Sequence, residues 1–213
     1  MFCRFAALLL GLLPAIFAAQ TVDEILAHNF AARGGLQKIK AIQSQRLTGH
    51  ISFGPKAEGP LLVQMARPSK MRQQVTMDGK PLTLILNGDT GWALIGGEVK
   101  PLPPGQIKNM QGGADFEGPL VDYQARGITV ELQGSAKVEG RDAWKLRVTQ
   151  KNGDVRMDYI DAATWLETKW EGQIQNQNKK LDVESFFRDY RDVDGLQYAF
   201  RIESNTVECR LSS

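Results

Sequence analysis

The chain is poor in the residues on which most site chemistry depends. Its 213 residues include only two Cys and two His. Neither His28 nor His50 has a spaced His, Cys or carboxylate partner that would bind a metal, and so few Cys and His remove most metal-site and thiol-enzyme schemes. No Ser sits in a nucleophile-elbow pattern. The pairs Gly34-Gly35, Gly96-Gly97 and Gly112-Gly113 lack the spacing that cradles a phosphate between strand and helix. One-sided charge is missing too: Lys plus Arg number 26 against 24 Asp plus Glu, a net +2. With no long basic run, a nucleic-acid footprint is absent. No catalytic residue, metal or cofactor is expected, and the chain reads as a non-enzyme.

What is present is ordinary for a folded domain, with 42% hydrophobic and 23% charged residues. The N-terminus stands apart. Arg4 precedes Phe5–Leu13, which carries no charge, then Pro14 and the small residues Ala18 and Ala19. This is the layout of a secretory signal peptide over residues 1–19, cut after Ala19. The stretch is shorter than the ~20 residues of a spanning helix, and no Cys follows it to carry a lipid. The mature protein is expected to be soluble in the periplasm, as one domain over residues 20–213. Loss of Cys3 leaves Cys209 alone, so stability must come from a core rather than a disulfide.

Thr21-Val22-Asp23-Glu24 reads as a capping box. Val22, Ile25, Leu26, Asn29 and Phe30 then share a helical face, and Gly34-Gly35 ends the helix. Leu36, Ile39 and Ile42 suggest a second short helix. From there the period becomes two. Leu47, Ile51 and Phe53 alternate with polar residues, followed by Leu61, Val63 and Met65, by Met71, Val75 and Met77, by Leu82, Leu84 and Leu86, and by Trp92 and Leu94. Gly54-Pro55, Asp78-Gly79 and Asn87-Gly88-Asp89 supply turns. Pro101, Pro103, Pro104 and Gly105 interrupt the rhythm, and Ile107, Met110 and Ala114 fit a short helix. This insertion is read as a lid or as an inert crossover.

Strands resume with Ile128, Val130 and Leu132, then Trp144, Leu146 and Val148. Asn152-Gly153 is a hairpin signal before Val155, Met157 and Tyr159. Leu166–Ile174, Leu181–Tyr190 and Leu196–Ile202 complete ten or eleven strands. The carboxylates Asp154, Asp158, Asp161, Asp189, Asp192 and Asp194 read as solvated charge and turn formers. The fold class is mainly β, α+β, antiparallel. A sheet this wide must curl, split into a sandwich or leave apolar surface for a ligand. Periodicity does not choose among these. Met65, Met71 and Met77 on neighbouring strands fit a plain core or an adaptable ligand surface.

Several strings resemble the outer-membrane lipoprotein-sorting family, the LolA/LolB-like superfamily of periplasmic lipoprotein carriers: ILAHNFAARGGLQKIKAI, LLVQMARPSKMR, LNGDTGWALI, ADFEGPLVDY, LRVTQKNGDVRMDYID and FFRDYRDVDG. The resemblance implies a single curved antiparallel sheet forming an incomplete barrel, its concave apolar face covered by an N-terminal helix and a mid-chain helical insertion. It implies a non-catalytic carrier that takes acyl chains of lipid or lipidated protein into that groove. Delivery would run toward the outer membrane, from an inner-membrane donor to an outer-membrane acceptor, with the carrier a monomer. The candidate groove comprises Leu47, Ile51, Leu61, Val63, Met65, Met71, Val75, Met77, Leu84, Leu86, Trp92, Leu94, Trp144 and Leu146. Ile25, Leu26, Phe30, Ile107 and Met110 would form the lid, Arg67 of the Arg-Pro step would steady it, and Trp92 would point inward. The alternative is an envelope sensor or protein-interaction module on the same scaffold. The ending Thr206–Leu211 departs from the family's usual further strand, which would leave a sheet edge unpaired.

Overall fold

The computed structural model describes residues 20–52, 58–77, 79–176 and 179–207. The expected signal peptide, Phe53, the Gly54-Pro55 turn, Asp78 and Cys209 lie outside these residues.

The capping box forms as the sequence requires. The Thr21 hydroxyl accepts from the Glu24 amide at 3.3 Å, and the Glu24 carboxylate accepts from the Thr21 amide at 2.8 Å. Helix α1 follows over Val22–Ala32, then α2 over Leu36–Ala41. The joint between them needs Gly34. A Cβ there would come within 2.1 Å of the Gly195 carbonyl oxygen, at a φ of +109°. This close approach, with the Gln197 amide donating to the Arg33 carbonyl at 3.0 Å, pins the helix pair to the turn at Asp194-Gly195.

Two antiparallel meanders make up the rest. β1 (Ser44–Ser52), β2 (Glu58–Ala66), β3 (Lys70–Met77), β4 (Lys80–Asn87), β5 (Thr90–Ile95) and β6 (Glu98–Pro101) pair in chain order in a first six-stranded sheet. Helix α3 (Pro104–Gly113) and a turn-rich connection then lead to β7 (Thr129–Val138). With β8 (Arg141–Thr149), β9 (Val155–Asp161), β10 (Glu167–Asn176), β11 (Lys179–Val193) and β12 (Leu196–Val207) it forms a second six-stranded sheet. The expected α+β antiparallel fold is present, and among the described residues no barrel closes. Its ladder runs in two halves because Pro103 and Pro104 cannot extend β6 and α3 occupies the span between the sheets.

Beyond the ten or eleven strands expected, the described residues include β6. Its sequence, Glu98-Val99-Lys100-Pro101, has no period-two apolar signal. It is a fully exposed edge strand, the position that tolerates Pro.

Packing divides the inner layer. Ile25 and Leu26 of α1 sit on Leu146, Val148 and Ile160 of the second sheet, all at most 2% exposed. Met110 of α3 and Ala114 at its C-cap sit on Met65, Met71, Leu86 and Ala93 of the first sheet, with Ile107 beside them. Ile39 of α2 packs on Val121 and Leu196.

Candidate ligand groove

Cross-strand register decides which side chains share a face, because directly opposed residues point the same way. In the first sheet Met65 opposes Met71, which opposes Leu86, so the face under α3 carries Met65, Met71 and Leu86. Leu47 opposes Val63, and Leu61 opposes Val75, on the same face. Leu84 follows through Gln73 and Val63. Nine of the candidate groove residues therefore lie on this concave face in register, Leu47, Ile51, Leu61, Val63, Met65, Met71, Val75, Leu84 and Leu86, while the Met77 side chain lies outside the described residues.

Two candidates fall elsewhere in that sheet. Trp92 opposes Ile85, and Ile85 opposes Arg72, so Trp92 and Leu94 belong to the outer face. The expectation of an inward Trp92 is corrected by one residue of register. Ala93 takes the inward place, at 7% exposure. Alternation alone fixes that residues 92 and 94 share a side, not which side.

Trp144 and Leu146 lie on the second sheet. Leu146 is fully buried beneath α1, and Trp144 is half-buried against the same cluster. The lid residues likewise divide between the two sheets. Ile25, Leu26 and Phe30 cover the second and Ile107 and Met110 the first.

Not all of the concave face is covered. Leu47 on β1 is 45% exposed, and on β12 Phe200 and Ile202 are 54% and 60% exposed. Ile202 opposes Phe187, in step with Ser185 and Ser204, on the side that includes Trp170 and Leu146. Leu196 and Tyr198 share this side of β12 and are shielded by α2, whereas Phe200 and Ile202 lie beyond it. The β1 and β12 edges meet where the Gln45 side-chain amide donates to the Tyr198 hydroxyl at 2.6 Å. From that junction both edges carry exposed apolar side chains, with the Arg191 guanidinium 4.6 Å from the Phe200 ring centre. Sequence reasoning counted Phe200 and Ile202 as strand residues but not as groove, since nothing local shows how far a distant helix reaches.

Arg67 joins the helical layer to the sheet. Its Nε donates to the Ile42 carbonyl at 2.6 Å and its Nη2 to the Glu117 carboxylate at 2.8 Å, with the guanidinium over the Phe116 ring. Arg33 donates to the Glu117 carbonyl at 3.1 Å. Losing a charge-assisted hydrogen bond costs about 1.5–3 kcal/mol. Arg67→Ala is expected to lower unfolding free energy by about that much in urea, and to speed amide exchange in α2 above all.

The inner face of the second sheet also holds charge, which corrects the reading of Asp158 as solvated. Val155, Met157 and Tyr159 were expected to form the dry side of β9, but the inward side is Arg156, Asp158 and Ile160. Asp158 is fully buried, with each carboxylate oxygen 2.7 Å from the Arg156 guanidinium. Asp161 is buried as well, accepting from the Ala163 and Thr164 amides at 3.1 and 2.8 Å in a turn. Glu167 lies deep beside this pair, 3.6 Å from Arg156, with 25% of its side chain still accessible. Burial, and then the Asp158 carboxylate, push its pKa up to about 7, against Arg156 and Arg33. Burial also raises Tyr190, whose hydroxyl donates to the Glu167 carbonyl at 2.7 Å. Among the described residues no group of His, Cys, Asp and Glu is arranged to hold a metal ion.

No protein-family model and no curated protein matches this sequence. Solved structures do. A DUF1329 family protein from Desulfovibrio piger superposes with a TM-score of 0.55 at 13% identity, covering 85% of each chain. A LolA superfamily protein from Nitrosomonas europaea gives 0.53 at 11% identity, over 90% of this chain and 88% of its own. An outer membrane lipoprotein-sorting protein domain from Vibrio parahaemolyticus gives 0.50 at 13% identity, over 86% and 84%. The fold is LolA-like.

Proposed function

We propose that the protein is a non-catalytic periplasmic carrier that holds the acyl chains of a lipid or lipidated protein against its concave face and delivers them toward the outer membrane. The observation that carries this reading is the exposed apolar surface of Leu47, Phe200 and Ile202, at 45%, 54% and 60% exposure along two edges that meet at Gln45 and Tyr198. Exposed apolar side chains grouped on one inner face are a mark of binding surface. Each CH₂ of an acyl chain gains about 0.8 kcal/mol on leaving water, so an apolar trough gives affinity without directed chemistry. Half-buried Leu61, Val63 and Leu84 continue the trough toward α3. Arg67 would hold the helical layer in place over it. Two similar structures, a lipoprotein-sorting protein domain and a LolA superfamily protein, support the choice of ligand class.

The test is titration with a fluorescent fatty-acid probe. Wild type is expected to bind it, and Leu47→Asp or Ile202→Asp to weaken binding at least about tenfold, since each places a carboxylate against acyl chain. Both positions are exposed, so the thermal midpoint should hardly move. Failure of wild type to bind would overturn the carrier reading.

A further inference from the structure

The outer faces of the two sheets treat charge differently. On the second sheet cations are matched locally: Arg147 to Glu131 at 3.1 Å, Lys169 to Glu171 and Glu184 at 2.9 and 2.8 Å, Arg188 to Glu203 at 2.8 Å. On the first sheet Arg46, Lys70 and Arg72 form no ion pair among the described residues. Among the described residues Arg72 donates to the neutral amides of Gln64 and Gln74, at 3.2 and 3.0 Å. The one acid that the described strands place on this face is Glu58, at its far corner opposite Ser52.

Apolar side chains stand in the same rows. Register aligns Arg46, Gln64, Arg72, Ile85, Trp92 and Pro101 across six strands, and the neighbouring row ends in Leu94 and Val99. Trp92, Leu94 and Val99 are 37%, 39% and 66% exposed. Arg46, Lys70, Arg72 and Ile85 border an open hollow of about 620 Å³ on this face. No helix covers it, since α3 lies on the opposite side.

We propose that this outer face docks on the surface of an anionic lipid bilayer. Arg46, Lys70 and Arg72 meet headgroup phosphates, while Trp92, Leu94 and Val99 enter the interfacial layer. Unpaired cations near such a surface are attracted within a Debye length, and Trp prefers that layer because its ring is apolar with one polar edge. A broad open hollow suits headgroups that differ in shape but share a phosphate. A folded acidic partner would instead need shape complementarity and bonded charges, neither of which these straight rows provide. The proposal extends the carrier reading, because a groove that exchanges acyl chains works at a membrane, yet it stands on a different face.

The experiment is co-sedimentation of the purified protein with vesicles of phosphatidylcholine alone and of phosphatidylcholine mixed with phosphatidylglycerol. Binding is expected only to the mixed vesicles, and to fall as salt rises. Arg46→Gln with Arg72→Gln should reduce partitioning about 25-fold, roughly fivefold per cation removed. Trp92→Ser should reduce it with charge unchanged. Lys137→Gln with Arg147→Gln, the same charge loss on the second sheet, should leave it intact. Fatty-acid probe binding is run on every variant and should be unchanged; probe failure with vesicle binding retained would sink the groove alone. No vesicle binding, equal binding to both vesicles, variants that bind like wild type, or a stable protein partner held by this face without vesicle binding would each overturn the proposal.

Discussion

Arg156→Met is expected to destabilise the fold by about 3–5 kcal/mol, the cost of leaving a buried charge without its partner. Asp158 has no accessible surface, and both of its oxygens face the Arg156 guanidinium at 2.7 Å. Without Arg156, Asp158 is left beside Glu167, whose charge has the same sign. The guanidinium also lies 5.5 Å from the Trp170 ring centre, and Met would keep part of that packing. Arg156→Met with Asp158→Leu should recover most of the loss, because replacing both members of a buried ion pair with apolar residues is close to neutral. Urea denaturation of the two variants checks this. A single variant within about 1 kcal/mol of wild type would show that the pair is not desolvated as described.

Glu167 gives the second large effect, and its sign follows from linkage. Its folded pKa of about 7 lies above the ordinary 4.5. Between those values the unfolded chain releases the proton while the folded chain keeps it. Stability therefore falls as pH rises from about 4.5 to about 7 and levels off above. Carboxylates held below their usual range act in the opposite direction, but at more acidic pH. They include Glu139 and Glu203 through Arg188, and Glu184 through Lys169. Glu167→Gln should flatten the decline and raise the thermal midpoint at about pH 8 while changing little at about pH 5. Thermal melts across this range read the difference; a parallel loss of stability at every pH would remove Glu167 from the account.

Local physics made much of the fold readable. The capping box over Thr21 and Glu24, the glycine stop at Gly34-Gly35 and the Asn152-Gly153 hairpin each depend on a few adjacent residues, and each appears as expected. Meander order was legible because short alternating runs joined by tight turns must pair with their chain neighbours.

Facing was harder to read. On β9 Met157 and Tyr159 are apolar enough to suggest the core, but they support a small outer cluster with Val138 and Ala143, while Arg156 and Asp158 turn inward as a pair. Two opposite charges spaced by two residues look solvated in sequence, and only the fold buries them against each other. Trp92 was misplaced for a related reason: a strand of alternating residues has two sides, and bulk does not choose between them. The candidate groove was legible on β1 to β4, where apolar residues dominate the inner side. It was not legible on β12, whose exposure depends on where α2, more than 150 residues earlier, stops covering it.

The most direct test of the carrier account is the lipid content of protein purified from its own envelope without detergent. Solvent extraction and mass spectrometry should recover acyl lipid near one molecule per chain, and clearly less from Leu47→Asp and Ile202→Asp. An extract free of acyl lipid, from protein that is folded and monodisperse, would contradict it.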